Sequence, residues 1–248
     1  MLLLLPPSET KRDGGDATSP LDLAKLSFTE LTAHRKSTIA AVRSLSRSIA
    51  ESTRALGLGA TQSFEIDRNR ALMKSGVLPA IDRYTGVLYD GLEATSLSPA
   101  EREFAGRHVV IQSALLGPIG ALDPIPAYRL SYDSRLPGLS LRRHWAMDAA
   151  RALESTPHEL VLDLRSEAYV TLAPAPQRSW YVRVLSENAT GRRVALSHFN
   201  KKSKGEFTRA LIAGGIDHES IDSLLEWATA TGWRLEPGAP GELDLVVG

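Results

Sequence analysis

The chain opens on an unbroken apolar run, Leu2-Leu3-Leu4-Leu5, closed by Pro6-Pro7. A run that short has strand length, and apolarity on both faces predicts a strand buried inside a sheet. Ser8 to Pro20 holds Lys11, Arg12, Asp13, Gly14, Gly15 and Asp16 and reads as a loop. From about Thr29 to Leu56 the period becomes helical: Ile39, Val42, Leu45 and Ile49 recur at three and four residues, with Gly57 as a stop. Ser98-Pro99-Ala100-Glu101 is a helix start, in which Ser98 caps, Pro99 suits the first turn and Glu101 completes a capping box.

His108 to Ile111 then reads as a strand. Gly117 to Gly138, rich in glycine and proline, reads as a long ordered loop or a series of tight turns, a kind of segment that is often functional. A helix is expected around His144 to Leu153 and an apolar strand from Leu160 to Leu164. Trp180 to Leu185 and Arg193 to Ser197 alternate like two strands joined through Glu187 to Gly191. Helices at about Ser203 to Ala213 and His218 to Thr229 precede two final strands, Trp233 to Leu235 and Leu243 to Val247. Strands and helices interleave with no linker or repeat. The expectation is one mixed α/β (α+β) domain over residues 1–248, a mixed sheet flanked by helices.

Composition narrows the chemistry. The 248 residues are 43% hydrophobic and 23% charged, as in ordinary globular proteins, and 29 basic residues balance 29 acidic ones. The balance hides a split. Arg178 to Arg209 carries eight basic residues against Glu187 and Glu206, whereas Ala213 onward carries seven acidic residues and only Arg234. Such asymmetry allows a basic face on a neutral chain. The absence of cysteine excludes disulfides, zinc–thiolate and iron–sulfur centres and thiol nucleophiles. The six histidines lack i, i+4 ligand spacing, and no Walker A or dinucleotide fingerprint occurs, so neither a metal nor a cofactor is expected. Four leucines make neither a signal peptide nor a span, which predicts a cytoplasmic chain with no membrane partner.

Two segments carry candidate chemistry. In Lys201-Lys202-Ser203-Lys204-Gly205 three lysines meet an expected helix start, where the helix dipole disfavours cations. A phosphate bound to free amides and to the lysines would relieve that conflict; the alternative is a solvated lysine run. In Leu116-Gly117-Pro118-Ile119-Gly120, Gly117 and Gly120 could form the hairpin of a helix–hairpin–helix element, its amides facing a DNA phosphate. The alternative there is a tight turn after a strand.

Five segments in order resemble the YaaA peroxide-stress family. They are Met1 to Lys11, Tyr84-Thr85-Gly86-Val87-Leu88-Tyr89-Asp90-Gly91-Leu92, Leu115 to Ile125 with Tyr128-Arg129-Leu130, Asp163-Leu164-Arg165-Ser166-Glu167-Ala168-Tyr169, and His198 to Gly205. The chain departs from the family pattern in four places. Glu9 stands where the lysine of "S-P-A-K-T" is found, with Lys11 two positions on. Gly120 and Ala121 replace a core arginine and proline. Asp163 replaces the asparagine of "N-L-A-S".

The resemblance implies an α/β fold with a basic cleft, DNA binding, and protection from hydrogen peroxide by limiting intracellular iron. It implies that Lys201, Lys202, Lys204 and Arg129 line that cleft, with Lys11 and Arg12 nearby. Ser8, Glu9, Tyr128, Glu167, Tyr169, Phe199 and Asn200 are further candidates for its walls. As a non-enzymatic DNA binder, the protein would contact phosphates through these cations and stack Tyr128, Tyr169 or Phe199 on unpaired bases, selecting DNA structure over sequence. As an enzyme on a phosphorylated or nucleotide-like substrate, it would hold the phosphate with Lys201, Lys202 and Arg129. Glu167 or Glu9 would then serve as acid or base, and Ser8 as nucleophile or contact. No residue is assigned as catalytic. Acidic residues converging with the lysines in one closed pocket would favour the enzyme, and an open basic groove the binder. Direct iron handling ranks third, because the histidines show no ligand spacing.

Overall fold

The computed structural model describes residues 1–187, 193–195 and 199–247, with the side chains of Ala195 and Phe199 outside that description. Its strands are β1 Leu2–Leu5, β2 Asp16–Pro20, β3 Gly76–Pro79, β4 Val109–Ser113, β5 Gly117–Gly120, β6 Pro124–Ile125, β7 Val161–Asp163, β8 Ser179–Glu187, β9 Arg193–Ala195, β10 Arg234–Pro237 and β11 Glu242–Val247. Its α-helices are α1 Thr32–Leu45, α2 Ile49–Ala55, α3 Phe64–Arg70, α4 Ala80–Arg83, α5 Val87–Leu92, α6 Pro99–His108, α7 Leu141–Glu154, α8 Glu167–Val170, α9 Phe199–Gly214 and α10 Ile221–Ala230.

The main sheet runs β10-β11-β8-β7-β1-β4-β5, with β9 on β8. Neighbours from β4 to β11 pair in parallel, and β5, β9 and β10 join antiparallel, so the mixed α/β class is observed. β1 sits between β4 and β7, where both faces are covered, and all four leucines are buried. One contiguous apolar core extends from Met1 to Leu245. β2, β3 and β6 form a second, antiparallel sheet.

Several expectations shift in detail. The helix expected from Thr29 to Leu56 is interrupted after Leu45. There Ser46 donates its hydroxyl to the Val42 carbonyl, and Ser48 takes an extended backbone and caps α2 by accepting the Glu51 N–H. The loop expected from Ser8 to Pro20 contains β2, which is almost wholly exposed and so shows no apolar alternation. The capping box at Ser98 forms as expected, with the Ser98 N–H donating to Glu101 Oε2 at 2.6 Å. Glu187 to Gly191 and the end of the strand expected to reach Ser197 fall partly outside the described residues.

The hairpin reading of Gly117 and Gly120 is corrected. Both glycines are buried in β5, which pairs with strand β4 and is not flanked by helices. The Gly120 N–H donates to Asp123 Oδ2 at 3.0 Å, so that amide is not offered to a phosphate.

α9 packs along α5 through a contact without side chains. A Cβ on Gly205 would run directly into the Leu88 carbonyl oxygen, and one on Gly91 would lie 2.7 Å from the Lys202 carbonyl oxygen. Reciprocal glycines therefore bring the lysine-bearing turns of α9 against α5.

Candidate functional site

The chain leaves β1 towards β4 on one side of the sheet and leaves β7 towards β8 on the other. Loops that diverge in this way open a crevice beyond the carboxyl ends of the two strands, the usual ligand position in open α/β sheets. A cavity of about 710 Å³ lies there. Its walls are residues 6–10 after β1, Leu164 and residues 166–169 after β7, residues 85–89 at the start of α5, Tyr132, Tyr181 on β8, and Asn200, Lys201 and Lys204 on α9.

The lysine run does not precede its helix; it lies within the first turns of α9, and a helical period separates its members. Lys201 and Lys204 face the cavity, whereas Lys202 points outward and pairs with Glu206 at 3.4 Å. Lys204 is buried, with Nζ donating to the Arg165 carbonyl at 3.4 Å and lying 5.0 Å above the Tyr181 ring. Burial lowers its pKa to about 8, against the favourable field of Asp163.

Beneath the cavity Asp163 and Arg165 are both buried and form a two-pronged ion pair, with Nε–Oδ1 at 2.8 Å and Nη2–Oδ2 at 2.7 Å. Arg165 also donates to the Ala173 carbonyl at 2.8 Å, which fixes the loop carrying Ser166 to Tyr169. On the β1 side, Arg129 is buried and pairs with the exposed Glu9 at 2.6 Å, while its backbone is held by both amide atoms of Asn69.

Lys11 and Arg12 diverge, as neighbours on extended chain do. Lys11 turns inward behind the cavity wall, donating to the Ser8 and Glu9 carbonyls at 2.9 and 3.3 Å and lying 4.0 Å above the Tyr128 ring. Arg12 is exposed and borders a separate hollow of about 380 Å³ with Asp82, Asp90 and Glu93. Tyr128 is also buried behind the wall, its hydroxyl 2.7 Å from those of Tyr84 and Ser113.

Of the residues expected from the sequence, Ser8, Glu9, Glu167, Tyr169, Asn200, Lys201 and Lys204 therefore share one cavity. Arg129 and Lys11 support its wall, and Lys202, Arg12 and Tyr128 do not line it. The side chain of Phe199 lies outside the described residues, as does His198. Tyr132, Tyr181 and the 85–89 wall were not named as site residues. The segment Tyr84 to Leu92, already among the resembling ones, was the signal for the last of these.

Burial of Lys11 outweighs the attraction of Glu65 and lowers its pKa to about 7. A base with a lowered folded-state pKa costs stability while it must be protonated. Below pH 7 that cost is fully present, and it fades as pH rises towards the unfolded-state value near 10.5. Stability to urea should therefore rise from pH 7, by at most about 1.4 kcal/mol per pH unit from Lys11, with Lys204 adding its own rise above pH 8. Lys11→Met should abolish the rise between pH 7 and 8. An unchanged pH profile in that variant would contradict the assignment.

The family model described as "Peroxide stress protein YaaA" matches residues 1–239. This chain belongs to the YaaA peroxide stress family. A UPF0246 protein of Corynebacterium glutamicum strain R is 39% identical, covering all of both chains. One from Streptomyces coelicolor is also 39% identical, over 98% of this chain and 94% of its own. A UPF0246 protein of Streptococcus gordonii is 26% identical over 68% of each. YaaA family membership thus agrees with the resemblance carried by the five segments, four of which supply walls of the cavity. Among the described residues no helix of this YaaA-family chain is long and apolar enough to cross a membrane.

Proposed function

We propose that this protein serves the peroxide stress response by binding a phosphate-bearing ligand of nucleotide size in the crevice between β1 and β7. The observation that carries the reading is the convergence of Lys201 and Lys204 with Glu9 and Glu167 in one cavity of about 710 Å³. That volume falls within the range of small-molecule sites, roughly 300–1,000 Å³. A plain DNA duplex asks for a row of exposed, unpaired cations. Here Lys204 is buried, Lys202 is paired with Glu206 and Arg12 faces another hollow. The same-site alternative, an enzyme on a phosphorylated or nucleotide-like substrate, therefore gains support over the duplex binder.

DNA binding is retained as a second reading, in the form of an unpaired nucleotide inserted from a bubble or junction. Its support is Tyr132, which is 45% exposed at the cavity and makes an edge contact with the Tyr169 ring at 5.5 Å. Such a pair offers an aromatic surface to a base. Iron limitation would then be an indirect consequence of ligand binding, since among the described residues no three histidine, aspartate or glutamate side chains gather to hold a metal.

Fluorescence anisotropy with labelled AMP, bubble DNA and duplex DNA over a salt series tests both readings. Lys201→Ala should weaken AMP binding about tenfold, as expected for loss of one charge-assisted phosphate contact. Bubble DNA bound and displaced by AMP would favour the unpaired-nucleotide form. Duplex bound as tightly as bubble, with no effect of Lys201→Ala, would overturn the cavity as the site.

A further inference from the structure

We propose that Lys204 is a nucleophilic amine that forms an imine with a phosphate-bearing aldehyde or ketone held in the β1/β7 cavity. The proposal rests on the phosphate reading above and adds a reactive group and a substrate class.

A buried ammonium ordinarily uses its three donors on carboxylates or carbonyls. Among the described residues Lys204 Nζ has one long contact, 3.4 Å to the Arg165 carbonyl, and the face of Tyr181. The buried carboxylate whose field reaches Lys204, Asp163, is already occupied by both prongs of Arg165, and Glu167 shares the cavity without closing an ion pair to Lys204. The amine therefore borders the cavity with donor capacity unspent. Lys11 is the contrasting case: equally buried, it spends its donors on two loop carbonyls and does not border the cavity.

That environment suits carbonyl chemistry. Desolvation keeps part of the Lys204 population neutral near neutral pH, because its pKa falls to about 8, whereas an exposed lysine is almost wholly protonated. In the reaction the Nζ lone pair attacks the carbonyl carbon, a C–N bond forms and the C=O π bond breaks. A proton passes from nitrogen to oxygen to give a carbinolamine. Loss of the hydroxyl as water, with the second amine hydrogen, leaves the C=N bond. No oxidant or reductant is required. Lys201, exposed on the same face of α9, is placed to hold the phosphate while Lys204 meets the carbonyl.

The test uses the full chain and pyridoxal 5′-phosphate as the probe, with borohydride to reduce any imine to a stable secondary amine and peptide mapping to locate it. One pyridoxyl phosphate group on Lys204 is expected, formed at least about tenfold faster than on Lys202, with a rate that rises with pH around 8. Lys204→Arg, which keeps a cation but cannot form the imine, should lose that adduct. Mapping of the wild type decides the matter even if the variant folds poorly. Labels spread over Lys201 and Lys202, or no label, would overturn the proposal; if AMP still bound under those conditions, the phosphate reading would stand alone. If pyridoxal without its phosphate labelled Lys204 as fast as the phosphorylated probe, the amine assignment would hold and the phosphate reading would fail.

Discussion

Gly205→Ala is expected to lower Tm by about 6–12 °C. One methyl group would meet the Leu88 carbonyl oxygen, a backbone atom that cannot rotate away, on a helix pair that is also tight at Gly91. Overpacking ordinarily costs about 1–3 kcal/mol, and a clash with the main chain of α5 belongs at or above the top of that range. For a chain of this size each kcal/mol corresponds to about 2–4 °C. Gly59→Ala is the control, because its Cβ would find only Gln62 Oε1, at 3.5 Å. A Gly205→Ala protein that melts with the wild type would refute the close helix contact. A stable variant with weakened AMP binding would instead mean that α9 had shifted and carried Lys201 and Lys204 with it.

The second large effect concerns Asp163 and Arg165. Asp163→Asn should leave the guanidinium buried with one charge uncompensated, and Arg165→Ala should do the same to the carboxylate. Removal of one partner from a buried pair costs about 3–5 kcal/mol. The double change Asp163→Asn with Arg165→Ala restores the family's "N-L-A-S" pattern and should cost less than either single change. Urea unfolding of the four proteins measures the coupling; additive single effects would show that the pair is not the unit. This cycle also accounts for one departure from the family pattern. Asp163 is tolerated there because Arg165 neutralises it at a position closed to water. Glu9 has a parallel account, since the charge reversal there gives Arg129 a partner at 2.6 Å.

What could be read from the sequence follows from which signals are local. β1, α6 and the last two strands announce themselves through runs, caps and alternation within a few residues. β2 does not, because an exposed strand has no apolar face to print. The break between α1 and α2 depends on serine side chains competing for main-chain partners, which an apolar period passes over. The site was legible in its residue types and less so in their directions. Lys201 and Lys204 are separated from Lys202 only once the lysines are known to be helical, and Lys11 from Arg12 only once that stretch is known to be extended. Tyr132 and Tyr181 carried no motif. Gly91 and Gly205 lie far apart in the chain, so their mutual approach had no local signature.

The position of β1 has a consequence for how the chain is made. Leu2 pairs with Val161, and Leu3 with Val109, so neither edge of this wholly apolar strand has a partner when it first emerges from the ribosome. At synthesis rates of about 5–20 residues per second, roughly 10–30 seconds pass before β7 can dock. Through that interval four consecutive leucines present open edges to any neighbouring strand. Nascent chains of this protein should therefore engage holdase chaperones through β1, and the cavity can assemble only after translation has passed α9.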